Sequence, residues 1–348
     1  MAKGVGKSFA VAMLIVGSIV GAGFVSGREL VSFFGSGISP LIAIPCAVFI
    51  FILSVLFLFI GSRLNAKNIS EVNVKLAGRF HFVTDVFILV NNLIVLAGML
   101  AAADSLGEAS IASLAPLYSI IFGVLCVLAV LKGVKGMLNI NKAAVPVMAA
   151  TVVFVAIFTL FAHGSGGAAR GVRLASIGAA AVYVCMNMML ASTVITTLGK
   201  MNKKTILLSS AIAALLMGAL VCMLILALNA RGQTNADMPV LDMAKAIHPS
   251  VYWIMIAVLA VSIFTTMLVA MGGLVSWFEG LFGKRFFSAV LILGAAFILS
   301  NLGFSNVVRF LYPVIGALGV IYTLLGLIFA AKTLPLKPLL KRRPKPTR

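Results

Sequence analysis

The chain has 348 residues, of which 62% are hydrophobic and 10% are charged, and its formal net charge at pH 7 is +19. A soluble globular domain carries about 25% charged residues, so this composition, with a mean hydropathy of +1.18, excludes a soluble globule and indicates a polytopic membrane protein. The basic residues lie in short stretches between apolar segments, so the positive charge predicts no nucleic-acid partner.

Ten apolar segments follow one another along the chain, and each has the length of a membrane-spanning helix. Because lipid offers no hydrogen-bond partners to an open backbone, segments of this length are expected to be helical. The predicted fold class is therefore an all-α polytopic membrane protein with ten transmembrane helices. The segments cover residues 8–34, 39–61, 82–103, 113–131, 143–162, 174–198, 204–228, 250–280, 286–303 and 306–331.

Basic residues concentrate in alternate loops, and this sets the predicted orientation. Lys3 and Lys7 precede the first segment, and most of the 27 Lys and Arg residues fall on the same predicted side. By the positive-inside rule, both termini are expected in the cytoplasm of a multi-pass membrane protein. The opposite loops hold only Arg170, Arg173, Arg231 and Lys245.

A glycine-rich stretch divides the segments into five and five. An odd number of helices per half requires any structural repeat to be inverted in the membrane. The predicted units are a first five-helix repeat at 1–162, an outer linker at 163–173, a second repeat at 174–331 and a basic, disordered cytoplasmic tail at 332–348 that contacts anionic lipid. Residues 238–247 are expected to form a short amphipathic helix over the outer mouth.

The first segment contains four glycines, Gly17, Gly21, Gly23 and Gly27. Each costs about 0.5–1 kcal/mol relative to Ala inside a helix, so four so close together need a structural reason. One is close packing of helices through pairs of small residues four apart. The other is a discontinuous helix whose unwound backbone lines a substrate and ion site near the middle of the membrane.

The ionisable residues form no enzyme constellation. The three His and eight acidic residues lie mostly in loops or at segment ends, and the sequence has no HExxH motif. The chain is therefore not expected to be an enzyme, and no cofactor is expected apart from a coupled ion.

The run GSIVGAGF at residues 17–24 resembles the unwound first helix of the LeuT-fold transporters of the amino acid–polyamine–organocation superfamily. The longer string VGAGFVSGRELVSFFG is similar to the YkvI-type bacterial membrane proteins, an amino acid permease family. The resemblance implies a LeuT-like 5+5 inverted repeat with broken helices 1 and 6 in a bacterial cell membrane. It also implies a secondary transporter that works by alternating access on a small-molecule substrate.

The eighth segment contains SIFTT at residues 262–266, whose hydroxyls three and four positions after Ser262 lie on one helix face. LeuT-fold symporters hold sodium between the first and eighth helices. The resemblance therefore implies a sodium site made of the carbonyls of Gly17, Val20 and Ser262 and the hydroxyls of Thr265 and Thr266. The alternative is that both hydroxyls bond carbonyls of their own helix. Sodium is the expected coupling ion because the fifth segment lacks the Lys that replaces it in some proton-coupled relatives, and a proton or no coupling ion is the alternative.

The substrate is expected beside Gly21, Ala22 and Gly23, whose amides would face a carboxylate at the start of the outer half-helix. The near absence of charge in the segments suits a small neutral or zwitterionic solute, with an amino acid as the expected class. Further candidate contacts, for which ordinary interhelical hydrogen bonding is the alternative, are Tyr183, Asn187 and Asn91.

Glu29 and Arg309 lie near the outer ends of the first and tenth segments and are expected to pair as a gate across the outer vestibule. The alternative is that each side chain extends to the membrane interface on its own. The alternative function for the whole chain is a receptor or sensor of the same fold that binds a ligand without transporting it.

Overall fold

The computed structural model describes residues 2–35, 37–66, 68–132, 135–164, 171–232 and 236–333, and most of them are helical. In chain order the helices are α1 Ala2–Ile19, α2 Ala22–Val25, α3 Arg28–Phe34, α4 Ala43–Leu64, α5 Ile69–Ala77, α6 His81–Ser110, α7 Ala115–Leu131, α8 Lys135–His163, α9 Leu174–Ile195, α10 Lys203–Arg231, α11 Pro239–Ile247, α12 Pro249–Phe282, α13 Arg285–Ser300, α14 Phe304–Asn306 and α15 Tyr312–Thr333.

Within the described chain, eight helical stretches are long and apolar enough to cross a membrane. They are Pro40–Leu64, Ile69–Ser110, Ala112–Leu131, Ala144–His163, Leu174–Ile195, Lys203–Arg231, Pro249–Glu279 and Phe304–Thr333. Two shorter apolar helices, Gly6–Ile19 and Arg285–Ser300, coincide with the predicted first and ninth segments. The protein is therefore an all-helical, multi-pass membrane protein, and the count of ten spans stays a prediction. Residues 165–170 of the predicted linker (163–173) and residues 334–348 of the predicted tail (332–348) lie outside the described residues.

The helices pack in pairs that join the two predicted halves. α1 contacts α9, α4 contacts α10, and α6 contacts α12. These are the first and sixth, second and seventh, and third and eighth predicted segments, so each contact joins one predicted half to the other. Small residues allow the closest approaches, since a Cβ added to Gly319 of α15 would lie 2.7 Å from the Cys185 carbonyl oxygen of α9.

The predicted first segment consists of three short helices rather than one. α1 ends at Ile19, and α2 is a single turn that begins at Ala22. α3 begins at Arg28, directly after Gly27, which has a φ of +80°. The chain thus changes direction twice inside this segment.

The predicted sixth segment is one uninterrupted helix, α9, so the prediction of a second broken helix is wrong. α9 continues through Tyr183 and Asn187, the candidate solute contacts of this segment. The physical reason is local, because no Gly or Pro lies between residues 179 and 198. The Asn187 side-chain amide donates to the Tyr183 carbonyl at 3.0 Å inside the same helix, and the backbone keeps its own hydrogen bonds.

The tenth segment also departs from a regular α-helix. Val307–Leu311 forms a π-helical turn between α14 and α15. Pro313 follows this turn; it has no amide hydrogen, and its ring crowds the carbonyl four residues earlier, which favours the wider turn. Tyr312, at the start of α15, is fully buried in the core beside the first segment.

Candidate functional site

The break between α1 and α2 frees backbone groups in the core of the molecule. The Val20 amide still donates to the Val16 carbonyl at 2.8 Å, but the Gly21 amide donates to the Ile19 carbonyl at 2.9 Å instead of to Gly17. Gly21 is extended, with φ −100° and ψ −176°. The Gly17 carbonyl therefore loses the donor that a continuous helix would give it, and the first amides of α2 have no helical acceptor.

Two glycines of the first segment let other helices approach the break. A Cβ added to Gly17 would lie 2.8 Å from Val145 Cγ2 of α8. A Cβ added to Gly21 would lie 3.1 Å from Thr266 Oγ1 of α12. The first and eighth segments thus meet at Gly21, and the hydroxyl pair of α12 lies against the unwound backbone.

The other two glycines shape the chain after the break. A Cβ added to Gly23 would collide with the carboxyl group of Glu29, so Gly23 leaves the space that this carboxyl group occupies. Gly27 has a φ of +80°, which residues with a side chain rarely adopt, and it also packs closely against Val240 of α11. Gly27 therefore redirects the chain so that α3 brings Glu29 back towards the break.

A cavity of about 530 Å³ lies at the break. It extends along α1 to Phe9, near the predicted cytoplasmic end, and α6, α8, α9, α12 and α15 complete its wall. Tyr183 and Ser262 do not line it and are fully buried behind it. The predicted substrate and sodium residues that do line it are Gly17, Val20, Gly21, Ala22, Gly23, Asn91, Asn187, Thr265 and Thr266.

The hydroxyls of Thr265 and Thr266 both donate to the Ser262 carbonyl, at 3.1 and 2.8 Å. Both bonds lie within one helix. Such bonds were the alternative to sodium binding that the sequence left open. They are compatible with cation binding, because a hydroxyl that donates its hydrogen keeps the lone pairs with which oxygen binds a cation. The Ser262 carbonyl already accepts both hydroxyls and its residue does not border the cavity. The other residues predicted to bind sodium, Gly17, Val20, Thr265 and Thr266, all line the cavity.

Tyr183 and Asn187, predicted to act together, have separate surroundings. Asn187 borders the cavity with its side-chain oxygen available, since only its amide nitrogen is used, towards Tyr183. The Tyr183 ring packs edge-on against Phe33 and Phe34 of α3, at centroid distances of 5.3 and 5.7 Å. Asn187 can therefore contact a solute directly, whereas Tyr183 supports α3 from behind.

Asn91 of α6 borders the cavity from the opposite wall. Its Nδ2 lies 3.5 Å from Asn92 Oδ1, at the limit of a hydrogen bond. Its Oδ1 is buried and has no hydrogen-bond partner within the described ranges. Asn91 therefore offers an acceptor that the protein itself does not use.

Glu29 and Arg309 are not paired, which corrects the predicted gate. Glu29 is only 6% exposed and lines the cavity. Arg309 is exposed, and its guanidinium carbon lies 5.4 Å from the centroid of the Phe310 ring. The pairing fails because the turn at Gly27 directs Glu29 inward, to the break.

Arg28, the neighbour of Glu29, faces a different part of the molecule. Its Nη1 donates to the Ala236 carbonyl at 3.3 Å, next to the N-terminal end of α11. Consecutive residues of a helix lie about 100° apart around its axis. Arg28 therefore binds the outer cap, while Glu29 borders the cavity.

On the predicted outer side, α11 packs against the turn between α2 and α3. This helix confirms the amphipathic helix predicted for residues 238–247. The Val240 amide donates to the Ser26 carbonyl at 3.0 Å. Asp237 accepts a hydrogen bond from Ser105 of α6 at 2.7 Å and another from Ser305 of α14. These bonds tie the start of α11 to the first, third and tenth segments.

Sequence reasoning missed Tyr312 and the inward position of Glu29. Tyr312 lines the cavity from the tenth segment, and only the adjacent Pro313 hinted at an irregular turn there. Glu29 follows Gly27 by two residues, and a glycine permits the left-handed turn seen there. Gly27 was therefore the sequence signal that could have placed Glu29 at the cavity.

No family model matches the chain. Among curated proteins, the uncharacterized membrane protein YkvI of Bacillus subtilis (strain 168) is 28% identical over 331 residues, which cover 91% of this chain and 94% of that protein. The uncharacterized protein YyaD of the same strain is 25% identical over 334 residues, covering 91% of this chain and 94% of that protein. The chain is therefore similar to YkvI along nearly its whole length.

Among solved structures, MhsT in complex with L-phenylalanine has a TM-score of 0.66 at 18% identity, covering 92% of this chain and 88% of that one. The inward-facing conformation of Mhp1, a nucleobase-cation-symport-1 family transporter, has a TM-score of 0.69 at 14% identity, covering 92% and 75%. At these identities the likeness shows the fold. The chain has the fold of LeuT-type membrane transporters.

Proposed function

We propose that the chain is a secondary active transporter of a small neutral or zwitterionic solute, with an amino acid as the leading candidate, and that it works by alternating access with sodium as the coupled ion. The observation that carries the proposal is the cavity at the break, where unwound backbone meets the hydroxyl pair of α12 and the Asn side chains of α6 and α9. The fold shared with membrane transporters supports the same conclusion.

The solute is proposed to bind beside Gly21, Ala22 and Gly23. A cavity of about 530 Å³ falls in the range of small-molecule sites, which hold roughly 300–1,000 Å³. The amides at the start of α2 are suitable donors for a carboxylate, and Asn91 and Asn187 supply polar side chains on two other walls. An amino acid satisfies each of these groups.

Sodium is proposed to bind to the carbonyls of Gly17 and Val20 and the hydroxyls of Thr265 and Thr266. A bound sodium ion would supply a positive charge at the break. The oxygens come from the end of α1, from the break and from α12, so the set is complete only while the first and eighth segments stay together. Ion affinity would then depend on conformation, which is what coupling requires.

Alternating access is supported by the unequal sides of the cavity. Towards the predicted cytoplasm it follows α1 as far as Phe9. Towards the predicted outside, α11 packs against the turn between α2 and α3, and Asp237, just before α11, bonds to α6 and α14. We assign this arrangement to a conformation that faces the cytoplasm.

The test is uptake of labelled amino acids, beginning with L-phenylalanine, into proteoliposomes with and without an inward sodium gradient. We expect saturable uptake that requires the gradient, and empty liposomes serve as the control. Uptake that does not depend on the sodium gradient would overturn the ion assignment and leave the assignment as a transporter intact. Binding to the purified protein without any uptake would instead identify the receptor that is the alternative function.

A further inference from the structure

Glu29 is a buried carboxyl group that borders the cavity. It lies in the first turn of α3 and is 6% exposed. Its Oε2 has no hydrogen-bond partner among the residues that the structure describes. Gly23 provides the space for this carboxyl group, because any Cβ there would collide with it. The backbone of the break is thus shaped around an acidic side chain.

The protein supplies no positive partner for this carboxyl group. In the described chain, no Lys, Arg or His side chain lines the cavity. Arg28 binds the Ala236 carbonyl, and Arg309 is exposed. The polar neighbours of Glu29 include the hydroxyls of Tyr183 and Tyr312, which carry no charge when protonated. An ionised carboxylate left unpaired in such surroundings costs several kcal/mol.

The buried side-chain atoms that line the cavity without a hydrogen-bond partner are of one chemical type. Both buried side-chain atoms that lack a partner and belong to described cavity-lining residues are acceptors, Glu29 Oε2 and Asn91 Oδ1. The Tyr183 hydroxyl beside Glu29 can donate one hydrogen bond but brings no positive charge. An occupant that satisfies both acceptors brings donors and, where Glu29 is ionised, a positive charge. An ammonium group has three N–H donors, one positive charge and no acceptor.

We propose that Glu29 is the countercharge for an ammonium group on the transported solute, with Asn91 as a second acceptor. The inference rests on the proposed function, because it concerns the solute of the same cavity. It adds an ammonium group as a requirement on the proposed solute, whether that solute is a zwitterion or a simple amine. α-Amino acids and simple primary amines share this group, whereas carboxylic acids without nitrogen lack it.

Glu29 and the proposed sodium oxygens border different parts of the break. Thr266 lies against Gly21, whereas the Glu29 carboxyl group lies against Gly23. An ammonium group at Glu29 therefore leaves the hydroxyl pair available for an ion. The two positive charges would have separate partners.

The first experiment compares matched probes by thermal stabilisation of the purified full-length protein in detergent. One set is L-leucine, 3-methylbutylamine and 4-methylpentanoate, and a second is L-phenylalanine, 2-phenylethylamine and 3-phenylpropionate. We expect stabilisation by members that carry an amine and none by the carboxylates without nitrogen. The difference in stabilisation between the amino acid and the amine of one set then shows whether the carboxylate of a substrate increases its affinity.

The second experiment repeats the titration with variants of the carboxyl group. We expect Glu29→Gln to weaken binding of the amine-bearing probes by at least about thirty-fold, since it removes the charge partner of a buried ion pair. Glu29→Asp keeps the charge and is expected to keep the preference for amines with lower affinity. Glu108→Gln, at an exposed position of α6, removes the same charge elsewhere and should bind like the wild type.

The outcomes separate this inference from the transporter assignment. Equal stabilisation by the nitrogen-free acids, unchanged affinity in Glu29→Gln, or no stabilisation by any amine-bearing probe would overturn the ammonium assignment. If Glu29→Gln fails to fold, the amine preference of Glu29→Asp carries the same test. Sodium-driven uptake of a nitrogen-free solute would refute the inference while leaving the transporter intact. Unchanged amine binding in Glu29→Gln with loss of uptake driven by a pH gradient would identify Glu29 as a proton carrier instead.

Discussion

The first and sixth segments hold equivalent positions in the two predicted halves, and both border the cavity, yet they are built differently. The first is divided into α1, α2 and α3, whereas the sixth is the single helix α9. The first therefore presents backbone carbonyls and amides to the cavity, and the sixth presents side chains such as Asn187. The comparison teaches that local residues, and not position in the fold, decide where a membrane helix breaks.

Gly23→Leu should have the largest effect, because it fills the space that the Glu29 carboxyl group occupies. We expect a loss of about 1–3 kcal/mol in the free energy of unfolding from overpacking, together with loss of solute binding. Thermal unfolding and probe titration in detergent measure both. Gly178→Leu in α9 is the matched control, since nothing lies within 4 Å of its added Cβ. An equal loss of stability and of solute binding in both variants would show that the first segment is not packed more tightly around the site than the sixth.

Gly27→Ala and Gly178→Ala should change stability in opposite directions. Alanine at a φ of +80° costs about 1–2 kcal/mol, and the change should displace α3 and with it Glu29. Alanine at Gly178, inside a continuous helix, should instead stabilise by about 0.4–1 kcal/mol. Unfolding midpoints of the two variants test the sign, and stabilisation by Gly27→Ala would contradict the left-handed turn.

The features that the sequence predicted well are those with a local energetic cause. Four glycines in one apolar segment pointed to an interruption, and the paired Thr residues of α12 pointed to the surface that the structure places beside Gly21. The short helix α11 followed from its own amphipathic pattern. Each of these signals is contained within a few consecutive residues.

The features that the sequence did not predict depend on how the chain turns in space. Glu29 reaches the cavity only because Gly27 redirects α3, and the expected pairing with Arg309 assumed a straight path. Tyr312 reaches it through a turn of the tenth segment. The expected break in the sixth segment came from the resemblance and not from residues of that segment, which contains no Gly or Pro between residues 179 and 198.

Thr266→Val in α12 removes a hydroxyl that faces the broken first segment. Thr193 in α9, the sixth segment, has similar hydroxyl chemistry, because it also bonds a carbonyl of its own helix, at 2.7 Å. Sodium at ten times its dissociation constant stabilises a protein by about 1.4 kcal/mol, and we expect Thr266→Val to lose this stabilisation. Thr193→Val should keep it, since Thr193 does not line the cavity. Unfolding in sodium and in choline chloride measures the difference. Full retention by Thr266→Val would remove this hydroxyl from the ion site.

Asn187→Ala should have the smallest effect on folding, because α9 stays helical without this side chain. Loss of its bond to the Tyr183 carbonyl should cost no more than about 0.6 kcal/mol, the mean for side-chain bonds between membrane helices, because this bond lies within one helix. Asn301→Ala is the matched control, since its amide makes the same bond, to the Phe297 carbonyl at 3.0 Å, at an exposed position. We expect the two variants to unfold alike and only Asn187→Ala to lower solute affinity, by less than Gly23→Leu does. If Asn187→Ala abolished binding as completely as Gly23→Leu, the side chains of the continuous helix would matter as much as the backbone of the broken one.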